Sequence, residues 1–426
     1  MTAIDEKFVW AWGSNNCGQL GCGDCDDRLT PTTVESFFSN ATLSATTLRR
    51  DKFNSEAPLS SQENIEEFST ITYFGGGGAF SVVLTDSGHV FTCGKNDRGQ
   101  LGQGTDRTQN KSAVDLQFSL CALANTLTVK HLQAGWDFVV ALTECGSIFT
   151  WGSNSFGQLG RSLAAGVKMD PTPQAVDSPS SGTGKFVAVA AGLRHALAVS
   201  ESGQIYSWGS GKRGQLGVVD SLGKPISTIP VPNCVSISKC SAPTQIFAGM
   251  NFSGMLTETG KIYLWGCNKH GQCGEAPPSQ TMYPLPRCLE TSQIFSKGSQ
   301  SKIVSLRVGW THVIMRTEAG DLYSWGRFDL GQLGRSTEEV PHYVPGHIDG
   351  VTNVSKHCCS SEHNLALTDE GQIYSWGWNE HGICGTGDES NVLYPQRISS
   401  LQNHQVMCIG CGAGHCFCLT KKAPSS

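Results

Sequence analysis

Four histidines recur at one position of a repeated phrase, at His195, His312, His363 and His415, and two C-x-x-C pairs stand at Cys22/Cys25 and Cys408/Cys411. Imidazoles can move protons near neutral pH, and paired thiols can hold zinc or cycle as a dithiol. Neither chemistry is expected here. Phe80, Phe138 and Phe252 take the histidine's place in other copies of the phrase, so the position is expected to serve packing and hydrogen bonding. Zinc needs four converging ligands, whereas alternation along a strand sends neighbouring thiols to opposite faces. Acidic Asp86, Glu144 and Glu258 are explained by a recurring turn. The chain contains no G-x-x-x-x-G-K-[ST], no G-x-S-x-G and no H-E-x-x-H. No catalytic residue, metal or cofactor is expected.

The elements that place these residues are written as a tandem repeat. WGSNSFGQLG at Trp151 has relatives starting at Trp12, Cys93, Trp208, Trp265, Trp325 and Trp376, with successive starts 81, 58, 57, 57, 60 and 51 residues apart. A second phrase, as in GWDFVVALTECG, puts its Phe or His 13 residues before the Trp (or Cys93) of the following WG phrase. That fixed offset describes a hairpin, an outgoing strand turned by Gly into a returning one. The chain opens with an unpartnered returning strand, FVWAWG, and closes with an unpartnered outgoing one, HCFCLT. Joining the two would complete a seventh unit and remove the exposed edges. The expected fold is therefore all-β: a seven-bladed β-propeller of four-stranded antiparallel blades, closed by the N- and C-terminal strands.

A single domain over 1–426 is expected, with a polar insertion at about 24–69, lesser insertions from Arg161 and Glu275, and a short tail at 421–426. The charged fraction of 16% and the 50 glycines suit short strands and tight turns. A net charge of −5 gives no pull toward nucleic acid. The charged start MTAIDEKFVW lacks an apolar signal core, and no run approaches a membrane span. The expectation is a cytoplasmic protein, with the nucleus as a second compartment, whose 18 cysteines stay reduced.

The two phrases resemble the repeat of the regulator of chromosome condensation family, over nearly the whole chain. GWDFVVALTECG, WGSNSFGQLG, AAGLRHALA, WGRFDLGQLGR and YSWGWNEHGICGTGDESNV carry the likeness, and it is strongest to family members that regulate secretion by guanine nucleotide exchange. The resemblance implies a propeller that docks a small GTPase, or another protein, on one face, with an exocyst component as a further partner. It implies no covalent catalysis. The member acting on the nuclear GTPase Ran inserts a wedge into one WG-to-GQLG turn, and all seven turns here are uninterrupted. A binding scaffold without exchange activity is therefore the alternative. A plant ultraviolet-B photoreceptor shares the propeller, but it uses Trp in several consecutive blades. Here Leu193 and Met250 separate Trp136 from Trp310, so light sensing is not expected.

Residues beside the repeated Phe/His position stand out: Trp136, Asp137, Arg194, Trp310, Thr311 and Glu362. They fall at strand starts next to loops, on one expected face, and exposed aromatic and charged groups there would form a docking surface. Trp378, Glu380 and His381, in a different turn, are further partner-binding candidates.

Overall fold

The repeated hairpin forms in the expected register. Phe138–Thr143 runs antiparallel to Ile148–Ser153 with Phe138 opposite Gly152. Phe80, His195, Phe252, His312 and His363 likewise face Gly94, Gly209, Gly266, Gly326 and Gly377. Each of these glycines has a positive φ, and a Cβ there would fall 2.5 or 2.6 Å from the carbonyl oxygen of the residue before the Phe or His. The WG glycine is thus demanded twice, by backbone conformation and by close approach.

A strand on either side completes each unit. The structure, a computed structural model, describes residues 7–35, 37, 70–104, 114–123, 127–164, 166–178, 184–237, 240–277, 280–289 and 302–422. These form seven four-stranded antiparallel blades. Blades 1 to 6 span 71–120, 129–175, 186–234, 243–289, 303–347 and 354–397. Blade 7 takes Lys7–Gly13 and Arg28–Thr33 from one end of the chain and His404–Cys411 and His415–Lys422 from the other. Its hairpin keeps the common register, with Gly13 opposite His415 and Phe8 opposite Thr420. A single parallel bridge, Cys411 to Gly75, links blades 7 and 1.

The core lies between blades. Seven apolar clusters each straddle one seam, such as Phe138, Val140 and Leu159 of blade 2 against Val189, Ala196 and Trp208 of blade 3. The second strand of each blade therefore contacts neighbours on both faces, and Phe138–Thr143 is buried at every residue. The inner strands surround a central channel of about 850 Å³.

Three expectations about boundaries are corrected. The stretch at 24–69 begins with the outer strand of blade 7, Arg28–Thr33, and positions 36 and 38–69 lie outside the described residues. The stretches from Arg161 and Glu275 contain outer strands Met169–Ala175 and Met282–Leu289. Lys421 and Lys422 belong to a strand, and the rest of the expected tail lies outside the described residues. The physical cause is common to the first two. Outer strands pair on one side only, so they tolerate prolines such as Pro31, Pro171 and Pro284 and carry little apolar alternation.

Candidate functional site

The WG and GQLG phrases fasten one blade to the next. Trp151 Nε1 donates to Gln100 O at 3.0 Å, Trp208 to Gln158 O at 2.9 Å and Trp265 to Gln215 O at 2.9 Å. Trp325, Trp376 and Trp12 repeat the bond to Gln272, Gln332 and Ile383. Each indole therefore reaches the preceding blade's carbonyl at the Gln position of GQLG, where Ile383 stands in the copy that Trp12 meets. Cys93 departs from the pattern, and Phe118 fills the missing volume: a Cβ on Gly21 would lie 2.6 Å from its ring, the contact that Gly102 makes with Trp151.

The histidines join a second set of seam bonds. His195 Nε2 lies 2.8 Å from Ser253 Oγ, whose hydroxyl donates to Gln215 O at 2.8 Å. The ring nitrogen must then be the donor. His312 meets Asn364 Oδ1 at 2.7 Å, His363 meets Cys416 Sγ at 3.0 Å and His415 meets Ser81 Oγ at 2.6 Å. Where Phe80, Phe138 and Phe252 replace the imidazole, the corresponding residue one blade on is Val139, Ala196 or Val313. The polar and apolar seams thus exchange both members together. Burial pushes His195, His363 and His415 down to about 3 and lowers His312 as well, so all four are neutral seam fasteners.

Turns between inner and second strands share a face with turns between third and outer strands. Ser153 N donates to Asp137 O, Arg327 N to Thr311 O and Trp378 N to Glu362 O, at 2.9 to 3.0 Å. Trp378, Glu380 and His381 therefore lie on the same face as the other candidates, although in a separate row of turns. Around the channel mouth, backbone bonds link neighbouring turns, including Gly78 N to Trp136 O, Trp136 N to Leu193 O and Trp310 N to Ser361 O. On this rim Trp136 and Trp310, from blades 2 and 5, meet across the axis with ring centroids 5.5 Å apart. Trp136 is 38% exposed.

The remaining candidates divide by burial. Arg194 is exposed, with its guanidinium 4.5 Å above the Phe156 ring. Asp137 is half-buried, and burial raises its carboxyl against the opposing pull of Ser153, Arg194 and Arg98. Thr311 and Glu362, expected on the surface, are buried beneath it. Glu362 accepts from Thr311 Oγ1 at 2.8 and 3.0 Å and from Gln332 Nε2 at 2.8 Å, with Arg327 NH1 at 3.5 Å. This is a clasp between blades 5 and 6. Trp378 is half-buried, and His381 Nδ1 lies 2.7 Å from Asp27 Oδ2 across the next seam. Glu380 is exposed.

Charge on this face is segregated. Arg194, Lys212, Arg213 and Lys269 are exposed over blades 3 and 4, whereas Asp26, Glu380, Asp388 and Glu389 are exposed over blades 6 and 7; between them blade 1 exposes Arg98 beside Asp97. The sequence reading missed this asymmetry. Its signal is the pair of residues before the second glycine of each WG phrase, KR and KH on one side and EH on the other.

A seven-bladed ring, fastened at six seams by an indole bond to the preceding GQLG-type turn, defines the class, a β-propeller of tandem WG/GQLG repeats. Residues 9–418 match the RCC1-like domain, and the chain belongs to that family. The mouse secretion-regulating guanine nucleotide exchange factor is 34% identical over a 442-residue alignment that covers 97% of this chain and 84% of that protein. The human regulator of chromosome condensation is 27% identical, with 82% of each chain covered. The crystal structure of yeast RCC1 (Prp20) bound to Kap60 has a TM-score of 0.76 and 23% identity, covering 99% of this chain and 90% of that one. This last likeness concerns the fold alone.

Proposed function

We propose that this protein regulates a small GTPase as a guanine nucleotide exchange factor linked to secretion, docking its partner on the Trp136–Trp310 face. The observation that carries the reading is one face uniting exposed Trp136 with half-buried Trp310, the Arg194–Phe156 stack and charge of opposite sign on opposite sides. Aromatic and Arg anchors dominate protein interfaces, and segregated charge orients an incoming partner. The family membership and the exchange activity named in the mouse relative point the same way. Exchange needs no covalent step: a face that holds the nucleotide-free GTPase more tightly than the loaded one weakens nucleotide binding by the same factor. The protein acts in the cytoplasm, with the nucleus as a second compartment and an exocyst component as a second partner. Among the described residues no helix is long and apolar enough to cross a membrane.

Uninterrupted WG-to-GQLG turns favour a second reading, a scaffold that binds without accelerating release. Release of fluorescent GDP from a panel of purified small GTPases separates the two. One GTPase should release faster, and Trp136→Ala and Arg194→Glu, both at exposed positions, should each weaken its binding at least about tenfold. Tight binding with unchanged release establishes the scaffold. Binding unaffected by both variants removes this face from the reading.

A further inference from the structure

The central channel carries charge of one sign. Lys130 on blade 2, Arg307 and Arg316 on blade 5 and Lys356 on blade 6 line it, and among the described residues no carboxylate does. None of the four makes an ion pair among the described residues. Arg307 NH1 donates to Leu306 O at 3.1 Å, Arg316 NH1 to Val354 O at 3.2 Å and Lys356 Nζ to Met407 O at 3.2 Å. A guanidinium has five N–H donors and an ammonium three, so one carbonyl each uses a small part of their capacity.

The repeat does not demand these cations. Arg316 faces Ser305 in the strand register, and the other six blades put Leu84, Leu142, Val199, Leu256, Leu367 and Leu419 in its place. A guanidinium thus replaces a core aliphatic in one blade alone. Arg307 stands where blades 1, 3 and 7 have Gly75, Ala190 and Gly410. The two exceptions act on each other. Burial lowers Arg316, Asp369 pulls the other way, and Arg307 lowers it further. Asp369 lies in the hairpin turn of blade 6 and does not line the channel. Burial first, and then the Arg307 charge, lower both His131 of blade 2 and His357 of blade 6. The Arg307 guanidinium is therefore felt on opposite walls. Like charges gathered in a walled channel without carboxylates concentrate anions there.

We propose that the channel is a binding site for one phosphorylated small molecule, which enters by the mouth opposite the docking face. Lys130 and Lys356 sit near the starts of inner strands Val129–Ala134 and Val354–Cys359, at that mouth, and Arg307 sits deeper, near the end of Ile303–Val308. Arg307 and Arg316 offer forked donors that match phosphate oxygens, and the two lysines add point charges. A phosphate monoester brings about two negative charges and three acceptor oxygens. A carboxylate brings one charge and two oxygens, a poorer match to four cations. The volume of about 850 Å³ is that of a pocket enclosing a small molecule. A GTPase on the docking face leaves the far mouth open, so this site does not rest on the exchange reading.

Pyrophosphate is the probe. Isothermal titration of the full-length protein at low salt should show one pyrophosphate per chain, bound at least about tenfold more tightly than acetate. Arg307→Gln and Arg316→Leu should each weaken it at least about tenfold. Lys261→Ala, at an exposed cation in the blade 4 hairpin turn on the same face as that mouth, should leave it unchanged. Arg316→Leu installs the residue that five other blades carry, which favours a folded variant. If either arginine variant does not fold, the unaltered protein decides: pyrophosphate should shield Arg307 and Arg316 from phenylglyoxal, read by peptide mass mapping. No binding, no preference over acetate, affinity that survives either arginine substitution, or shielding confined to other arginines overturns the proposal.

Discussion

His195 with Ser253 and Phe252 with Val313 are two solutions to one packing problem, a ring buried at a blade seam with a matched neighbour across it. The polar solution carries a cost in acid. Burial holds His195 at about 3 against an ordinary 6.5, so between those values the unfolded chain binds a proton that the folded chain refuses. Stability is unaffected above about 6.5 and falls below it, by about 1.4 kcal/mol per pH unit for each such histidine. His363, His415 and His357, each also lowered to about 3, add to the same slope. Replacing the pair by its own alternative, His195→Phe with Ser253→Val, should make the protein less acid-sensitive by about 2 kcal/mol between pH 7 and pH 5. His195→Phe alone leaves Ser253 Oγ without its donor and should cost stability at pH 7. Urea midpoints across that pH range measure both, and an unchanged acid slope in the double variant would contradict a neutral buried His195.

At the scale of the repeat, the GQ carbonyls differ in how many donors they hold. Gln215 O accepts from both Trp265 Nε1 and Ser253 Oγ, whereas Gln100 O accepts from Trp151 Nε1 alone among the described residues. Phe in place of either Trp removes similar volume, but only Trp151→Phe strands a buried carbonyl. Trp151→Phe should therefore destabilise by about 1 to 2 kcal/mol more than Trp265→Phe, read from chemical denaturation of the two variants. Equal losses would mean that packing, not the hydrogen bond, sets the value of the indole. The repeat made the hairpins and their register legible, because the 13-residue offset is a local property of one strand pair. Seam partners were hidden because they lie a full repeat away: Glu362 reads as an exposed acid until Thr311, Arg327 and Gln332 of the preceding blade are set around it. Trp136 and Trp310 look isolated in the chain, with two blades between them, and meet only because the ring brings blades 2 and 5 together across its axis.

The whole molecule depends on a blade that neither end of the chain can build alone. Lys7–Gly13 pairs residue for residue with His415–Lys421, and Trp10 Nε1 donates to Thr420 Oγ1 at 2.8 Å. The same strands feed two seams. Val9, Ala11, Phe417 and Leu419 pack toward blade 1, and Trp12, Cys416 and Cys418 pack toward blade 6. An open array of repeats frays from its ends, but here the first and last strands cover each other, and fraying of either exposes both seams. Deleting residues 1–13 or residues 412–426 should each lower the denaturation midpoint by more than any single Trp→Phe change. Because each deletion removes the partner that gives the other strand its value, the double deletion should cost clearly less than the sum of the two. Additive losses would show the two ends contributing independently, and the ring would then be held by its seams without the closing hairpin.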